Sequence, residues 1–243
     1  MSKVVTTTVL PDVAGGSVTL GGTGDSVVVT GNDIRTNTLQ DAGGNAVFTS
    51  NGSGVLSGVN SGFGGALNLL STQTASGASS VSFTTQLTST YDVYVFKFID
   101  INPDSHDKNF TFQVNATDGA DYNDSAITST VFESEHYEDN SVARVRYEPN
   151  DDQAQGTAFQ ILAEGIGNGA DESLAGVFHL FNPSNTTYVK HFYSRVNESD
   201  GANFTVDCYA AGYFNTTSAI NAISFKFDSG NINAGTIKLY GVS

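Results

Sequence analysis

Short runs of alternating apolar and polar residues constrain the fold of this chain more than any other feature of its sequence. They include Tyr94–Phe98, Phe110–Val114, Phe204–Cys208, Ile223–Phe227 and Ile237–Leu239. A period of two buries one face of a strand and leaves the other in solvent, which is typical of antiparallel sheets. We count about ten such runs after residue 77, and no 11-residue window has a convincing helical period.

These runs predict an all-β chain, with a Gly-rich N-terminal β region followed by an antiparallel β-sandwich. About ten strands in roughly 165 residues favour a jelly-roll-like sandwich. Ser, Thr and Gly number 26 each and Asn 21, and these residues favour turns and strand edges over helices. Lys97, Lys226 and Lys238 occupy polar positions of their strands, where we expect them to protect sheet edges.

The aromatic residues divide the chain in two. Residues 1–77 contain 15 of the 26 Gly but only two of the 26 Phe and Tyr residues, Phe48 and Phe63. The small, uncharged stretch 71–80 is typical of a linker. We therefore predict an oligomerisation or attachment region over residues 1–77 and a β-sandwich domain over residues 78–243.

The N-terminal region is predicted to form short Val-rich strands at Ser17–Leu20, Ser26–Thr30, Ala46–Thr49 and Val55–Val59, separated by Gly turns. With so few aromatics it buries little apolar area, while its backbone loses much entropy on folding. We expect it to be marginal alone and to gain stability by pairing with identical copies, most simply in a trimer. The alternative is a flexible Gly-rich arm.

The charge of the chain excludes several classes of partner. Ten Lys and Arg against 25 Asp and Glu give a formal charge of −15, which repels nucleic acid and anionic lipid. No apolar run is long enough for a membrane-spanning helix, and the first residues lack the apolar segment of a signal peptide. The single Cys208 excludes an internal disulfide. We expect synthesis in the cytosol and folding without oxidation.

No catalytic motif is present, so we predict a non-enzymatic protein with no catalytic, cofactor-binding or metal-binding residues. Two acidic clusters leave alternatives open. Asp118, Asp121 and Asp124 lie within seven residues and supply the oxygen ligands that Ca²⁺ prefers, although EF-hand spacing is absent. Glu133 and Glu135 share a strand face, and a carboxylate pair can cleave glycosidic bonds. In both cases a solvated acidic surface is the simpler interpretation. His179 is expected on the face opposite Phe178 and Leu180, as a solvated side chain or one at the rim of the core, rather than as a catalytic base.

Three segments resemble a known group of proteins: Phe181–Phe192, Ala211–Ile220 and Phe225–Gly241, the last containing Gly-Asn-Ile-Asn-Ala-Gly-Thr-Ile-Lys-Leu-Tyr-Gly. Together they resemble the C-terminal β-sandwich domains of structural proteins in marine tailed bacteriophages, over roughly residues 80–243. The segment Ser17–Asp25 is similar to stretches of phage fibre proteins.

The resemblance implies a virion component: a homotrimeric tail fibre, head fibre or capsid decoration that contacts other virion proteins. The short N-terminal region favours a compact appendage, with the sandwich displayed outward and a host surface glycan as a further partner. A carbohydrate-binding module and a glycan depolymerase spike are the alternatives.

Overall fold

The computed structural model describes residues 38–41, 44–50, 53, 56–57, 59, 66–119 and 121–242. The chain divides into two compact units, Met1–Asn60 and Ser61–Ser243. In the first unit an antiparallel sheet is formed by β1 (Thr38–Gln40), β2 (Ala46–Ser50) and β3 (Leu56–Ser57). The prediction of strands near residues 46–49 and 55–59 is thus confirmed, whereas Ser17–Leu20 and Ser26–Thr30 lie outside the described residues.

The second unit contains thirteen strands among its described residues. They are β4 (Leu67–Ala78), β5 (Val81–Phe83), β6 (Val93–Pro103), β7 (Lys108–Ala116), β8 (Ile127–Tyr137), β9 (Ala143–Tyr147), β10 (Ala154–Gly156), β11 (Gln160–Ile166), β12 (Leu174–Phe181), β13 (Lys190–Asp200), β14 (Phe204–Phe214), β15 (Ile220–Phe227) and β16 (Ile232–Val242). Over the described part of the chain, we find no helix of the length and apolarity that crossing a bilayer requires.

Eight of these strands have the connectivity of a jelly roll. The hydrogen bonds link all thirteen strands, and two four-stranded layers stand out among them, β4-β16-β6-β12 and β5-β15-β7-β11. The two layers are joined at one end, where β13 pairs with β11 at Ile166↔Asp200, and we call them the first and second sheets. Strands β4 to β7 alternate between the two sheets, and so do β11, β12, β15 and β16. This arrangement of antiparallel strands in two sheets is that of a jelly roll. The predicted all-β, jelly-roll-like sandwich is therefore confirmed.

Two insertions widen the first sheet. The segment after β7 forms β8, β9 and β10, and the segment after β12 forms β13 and β14. Strand β13 pairs with β12, β14 pairs with β13, and β8 pairs with β14 from Phe204↔Tyr137 to Phe214↔Ile127. Strands β9 and β10 both pair with β8. We call these five strands the extension. The two insertions depend on each other, because β14 of the second pairs along its length with β8 of the first.

Phenylalanine rings fill the space between the two sheets. Phe225 on β15 is fully buried, and six other phenylalanine rings have their centroids within 6.5 Å of its own. Those rings come from both sheets: Phe83, Phe96, Phe98, Phe110, Phe112 and Phe178. The inward positions of the alternating runs therefore meet in one aromatic core.

The boundary between the units lies earlier than the sequence predicts. The stretch 71–80, interpreted above as a linker, lies mostly in β4, which pairs with β16 from Val242↔Leu67 to Ile232↔Ala78. The small polar residues of this stretch fit an exposed strand, since Ala75 is the one buried residue of β4. The composition of residues 71–80 thus suggested a linker, but most of them form a strand because their backbone pairs with β16.

We expect a fragment of residues 61–243 to unfold in one sharp transition close to that of the full chain, since it contains all thirteen strands. A fragment of residues 80–243 lacks β4 and leaves the backbone of β16 unpaired on one side, so its midpoint should fall by about 5 °C. Thermal scans by circular dichroism measure both. Equal midpoints for the two fragments would show that β4 adds no stability.

The three lysines expected at sheet edges lie elsewhere. Lys97 is on β6, Lys226 on β15 and Lys238 on β16, and each of these strands has a partner on both sides. The prediction of edge protection is therefore wrong for all three residues. Polar positions in the sequence mark the outer face of a strand, but the order of the strands decides whether that strand is an edge.

Candidate functional site

The solvent-facing side of the extension is rich in aromatic residues. On β13 the alternation leaves His191, Tyr193, Arg195 and Asn197 exposed and buries the residues between them. Aromatic side chains on neighbouring strands are paired with them in the register of the sheet: His179 on β12 is opposite Tyr193, and Tyr213 on β14 is opposite His191. Tyr193 is 44 % exposed, which is a large apolar area for a side chain in the middle of a sheet.

A groove of about 430 Å³ runs between these side chains. Its floor includes Ala211, which pairs directly with Tyr193, and its walls include Tyr213, His191 and Phe181. The groove exists because the Ala211 side chain is smaller than those of Tyr193 and Thr130, which pair with it from either side. The Tyr193 ring stacks on the His179 ring at 4.4 Å and is thereby held in place.

A second depression of about 570 Å³ adjoins the groove and shares Phe181 and His191 with it. The loop after β12 forms it. Asn185 in this loop accepts hydrogen bonds at its Oδ1 from the backbone N–H groups of Thr187 (2.7 Å) and Tyr188 (2.8 Å). These bonds fix the amide group, whose Nδ2 remains a donor for a ligand. Tyr188 itself is 71 % exposed.

A row of cations crosses the same face from β16 to β13. Lys238 on β16 pairs with Lys97 on β6, Lys97 pairs with Val177 on β12, and Val177 pairs with Arg195 on β13. The Lys97 Nζ atom lies 5.2 Å from the centroid of the Tyr240 ring. Arg195 donates two hydrogen bonds to Asp207, from Nε and Nη2, and its charge is therefore balanced.

The inner face of the extension carries acidic residues instead. Glu133 and Glu135 on β8 are buried, and they face Arg146 and Arg144 on β9 in the register of the sheet. Arg146 donates to Glu133 from Nε at 2.8 Å and also lies 2.8 Å from Glu148 Oε1. Arg144 forms an ion pair with Glu135. The two arginines thus balance the charge of the glutamates nearest to them.

Other acidic residues in this interior have no cationic partner among the described ion pairs. Glu198 on β13 is 2 % exposed, and neither of its carboxylate oxygens makes a hydrogen bond. Burial raises its pKa well above the usual range, and neighbouring Asp200 and Glu133 add to the rise. Burial also raises the pKa of Asp151 to about 7, with smaller effects of Glu164 and Glu148. We call these residues and Glu133 the acidic interior.

All three aspartates of the first acidic cluster, Asp118, Asp121 and Asp124, are exposed. Asp118 is exposed and accepts a hydrogen bond from Thr216 Oγ1 at 3.1 Å, and Asp121 accepts one from the backbone N–H of Asn123 at 2.7 Å. A hydrogen bond from Ser218 lowers the pKa of Asp118. Within the described ranges, no group of three or more His, Cys, Asp or Glu residues is arranged to hold a metal ion.

The carboxylate pair Glu133 and Glu135 shares a strand face as predicted, but that face is internal. The prediction of a solvated pair is therefore wrong, because both side chains are buried in ion pairs with Arg146 and Arg144 of the adjoining strand β9. His179 lies opposite Phe178 and Leu180 as predicted, although it is half-buried under Tyr193. Burial lowers the pKa of His179.

Sequence reasoning missed the groove itself. The signal is present in the run from His191 to Asn197, where two of the outward positions hold His and Tyr rather than small polar residues. The remaining walls come from β12 and β14, which only the fold brings together. Comparison with known proteins gives no match to a protein family, to a curated protein or to a solved structure.

Proposed function

We propose that this chain is a non-enzymatic structural component of a tailed bacteriophage particle, a short trimeric appendage that displays its sandwich domain toward the host surface. The observation that carries the proposal is the exposed aromatic face of the extension. Large exposed apolar patches mark interaction sites, so this face indicates that the domain contacts a partner outside the chain.

The location of the resembling segments supports this function. Phe181–Phe192 contains the loop of the second depression and two walls of the groove, and Ala211–Ile220 begins with the floor of the groove. Two of the three segments that resemble phage structural proteins therefore contribute to the same surface. The jelly roll adds further support, because viral capsid proteins and lectins both use it.

Immunogold labelling tests the proposal on particles of the phage that encodes the chain. An antiserum against the purified protein should decorate gradient-purified particles at a fixed position on the head or tail. Mass spectrometry of the same particles should find the chain in a constant ratio to the major capsid protein. A chain that stays in the soluble fraction of the lysate, and is absent from washed particles, would contradict a virion role.

We expect the full-length protein to be a trimer in solution, because residues 1–60 contain a single aromatic residue, Phe48, which is too little for them to be stable without symmetry mates. Light scattering should give about three times the chain mass of 25.5 kDa at micromolar concentration. The fragment 61–243 is the control and should be monomeric. A monomeric full-length protein, or a trimeric fragment, would show that the N-terminal region does not mediate assembly.

A further inference from the structure

We propose that the outer face of the extension and the adjoining strands binds an acidic polysaccharide, with sugar rings on the aromatic groove and acid groups at the neighbouring lysines. The inference rests on the proposed display function and names the ligand class of the displayed face. The ligand's carboxylate or sulfate groups are the shared chemistry that the lysines recognise.

The groove has the shape and surface that a sugar ring requires. Pyranose rings present C–H groups on their faces, and these pack on aromatic rings in binding sites. Tyr193 stands beside Ala211 on the neighbouring strand, and Tyr213 follows two residues along β14, so a ring placed over Ala211 is bordered by aromatic carbon across the strands and along them. Because His179 already stacks on Tyr193, the platform is held before a ligand arrives, which lowers the entropy cost of binding.

Polar groups around the groove suit hydroxyl groups more than an apolar peptide. The loop of the second depression supplies the oriented amide of Asn185 together with the hydroxyl groups of Thr187 and Thr217. His191 lines both depressions, and the two nitrogens of its ring can donate or accept hydrogen bonds. A few such polar groups beside aromatic walls are what fix the orientation of a ligand in a binding site.

The local charge of this face differs from the net charge of −15, which disfavours anionic partners over the chain as a whole, and we expect acid groups of a ligand only beside the lysines. No Asp or Glu lines either depression, although the chain has 25 acidic residues against ten basic ones. Lys97 and Lys238 are directly opposite each other on neighbouring strands, and neither takes part in an ion pair among the described residues. Like charges in that position repel each other, and an anion placed beside both lysines would remove the repulsion.

The spacing of the strands requires an extended ligand. The lysines lie on β16 and β6, whereas the floor of the groove lies on β14, four strand intervals from β16. At about 4.8 Å between strands this distance is about 19 Å. A single sugar cannot reach across it, so we infer a polymer that crosses the strands.

Binding to alginate, carrageenan and dextran tests the proposal with full-length protein. Alginate carries carboxylates, carrageenan carries sulfates and dextran is neutral. We expect binding to at least one acidic polymer by affinity electrophoresis and calorimetry, and affinity for dextran at least about tenfold weaker. Binding should weaken as NaCl is raised from about 50 to 500 mM, because salt screens the lysines. Comparison of the first two polymers identifies the acid group.

Three variants assign the binding to this face. Tyr193→Ala should weaken binding about tenfold at any salt concentration, because stacking is lost. The double variant Lys97→Gln and Lys238→Gln should weaken it by a similar factor at low salt and reduce the salt dependence. Lys226→Gln is the matched control, since this lysine lies on the other sheet over Phe159, and it should change nothing. Thermal scans confirm that each variant is folded.

Failure of this inference is distinguishable from failure of the virion role. No binding to either acidic polymer, equal binding to dextran, or a loss caused equally by Lys226→Gln would overturn it, even if the chain is found in particles. Conversely, acidic polysaccharide binding that depends on Tyr193 would support the ligand class even if labelled particles show no chain.

Discussion

Substitution of Phe225 by alanine is expected to destabilise the sandwich by about 4 kcal/mol. The ring is fully buried, and it lies between rings of both sheets, at 5.2 Å from Phe96 and from Phe98. Removal leaves a cavity that its neighbours cannot fill, because they already hold one another in edge-to-face contacts. The thermal midpoint should fall by roughly 8–16 °C for a domain of this size.

Urea unfolding of the variant and the wild-type chain at the same pH measures the loss. Phe132→Ala is the matched control, since Phe132 is 44 % exposed and its one ring contact within the described ranges is with Tyr209, at 4.8 Å. We expect that change to cost about 1 kcal/mol or less. A loss at Phe225 as small as the loss at Phe132 would show that the aromatic core is not centred on β15.

Substitution of Asp151 by asparagine is expected to stabilise the protein at pH 8.5 and to have little effect at pH 4.5. Asp151 is 5 % exposed, and burial raises its pKa to about 7. The folded state therefore binds a proton that the unfolded state releases above pH 4, so the contribution of Asp151 to stability is greatest below pH 4 and is lost as pH rises through 7. The variant keeps its side chain neutral, and the gain at pH 8.5 should be on the order of 2–4 kcal/mol.

The geometry around Asp151 suits this substitution. Its backbone carbonyl accepts a hydrogen bond from Gln160 Nε2 at 2.7 Å, and an asparagine leaves that bond intact. Free energies of unfolding from urea titrations at the two pH values provide the measurement. If the variant gains nothing at pH 8.5, Asp151 is not buried as an isolated charge.

Asp139→Asn is the control with the opposite sign. Hydrogen bonds from Ser141 lower the pKa of Asp139, whose Oδ1 accepts one from the Ser141 backbone N–H at 2.8 Å. The stability that it adds is present above the pKa of the unfolded state and lost in acid. This variant should therefore be slightly less stable at pH 8.5, which separates an effect of burial from a general effect of removing a negative charge.

Alternation in the sequence was sufficient to predict the strands, because the period of two is set by the backbone alone. The runs at Tyr94–Phe98 and Ile223–Phe227 lie in β6 and β15. The same reasoning predicted one wet face for each strand, and this is wrong for β7. Thr111 and Gln113 are buried there, and Gln113 Nε2 donates to the backbone carbonyls of Ser125, Thr157 and Ala158.

The aromatic groove could be recognised only from the tertiary structure. Tyr193 lies on β13 and Thr130 on β8, in insertions about 60 residues apart, and the sequence gives no sign that they pair through β14. Glu133 lies on the opposite face of the same strand, β8, and that face is buried. Alternation separates the two faces of a strand, but only the fold decides which face is covered. Neither the groove nor the acidic interior follows from the pattern of one strand.

The sequence by itself determined the strand content, the aromatic core residues and the absence of helices in the described sandwich, because these depend on local backbone preference and on the need to bury large rings. Tertiary structure decided the order of the strands, the inclusion of β4, the burial of Glu133, Glu198 and Asp151, and the alignment of Lys97 with Lys238. Each of these depends on which distant segment forms hydrogen bonds with a given strand edge or covers a given face, and a local pattern carries no information about a distant partner.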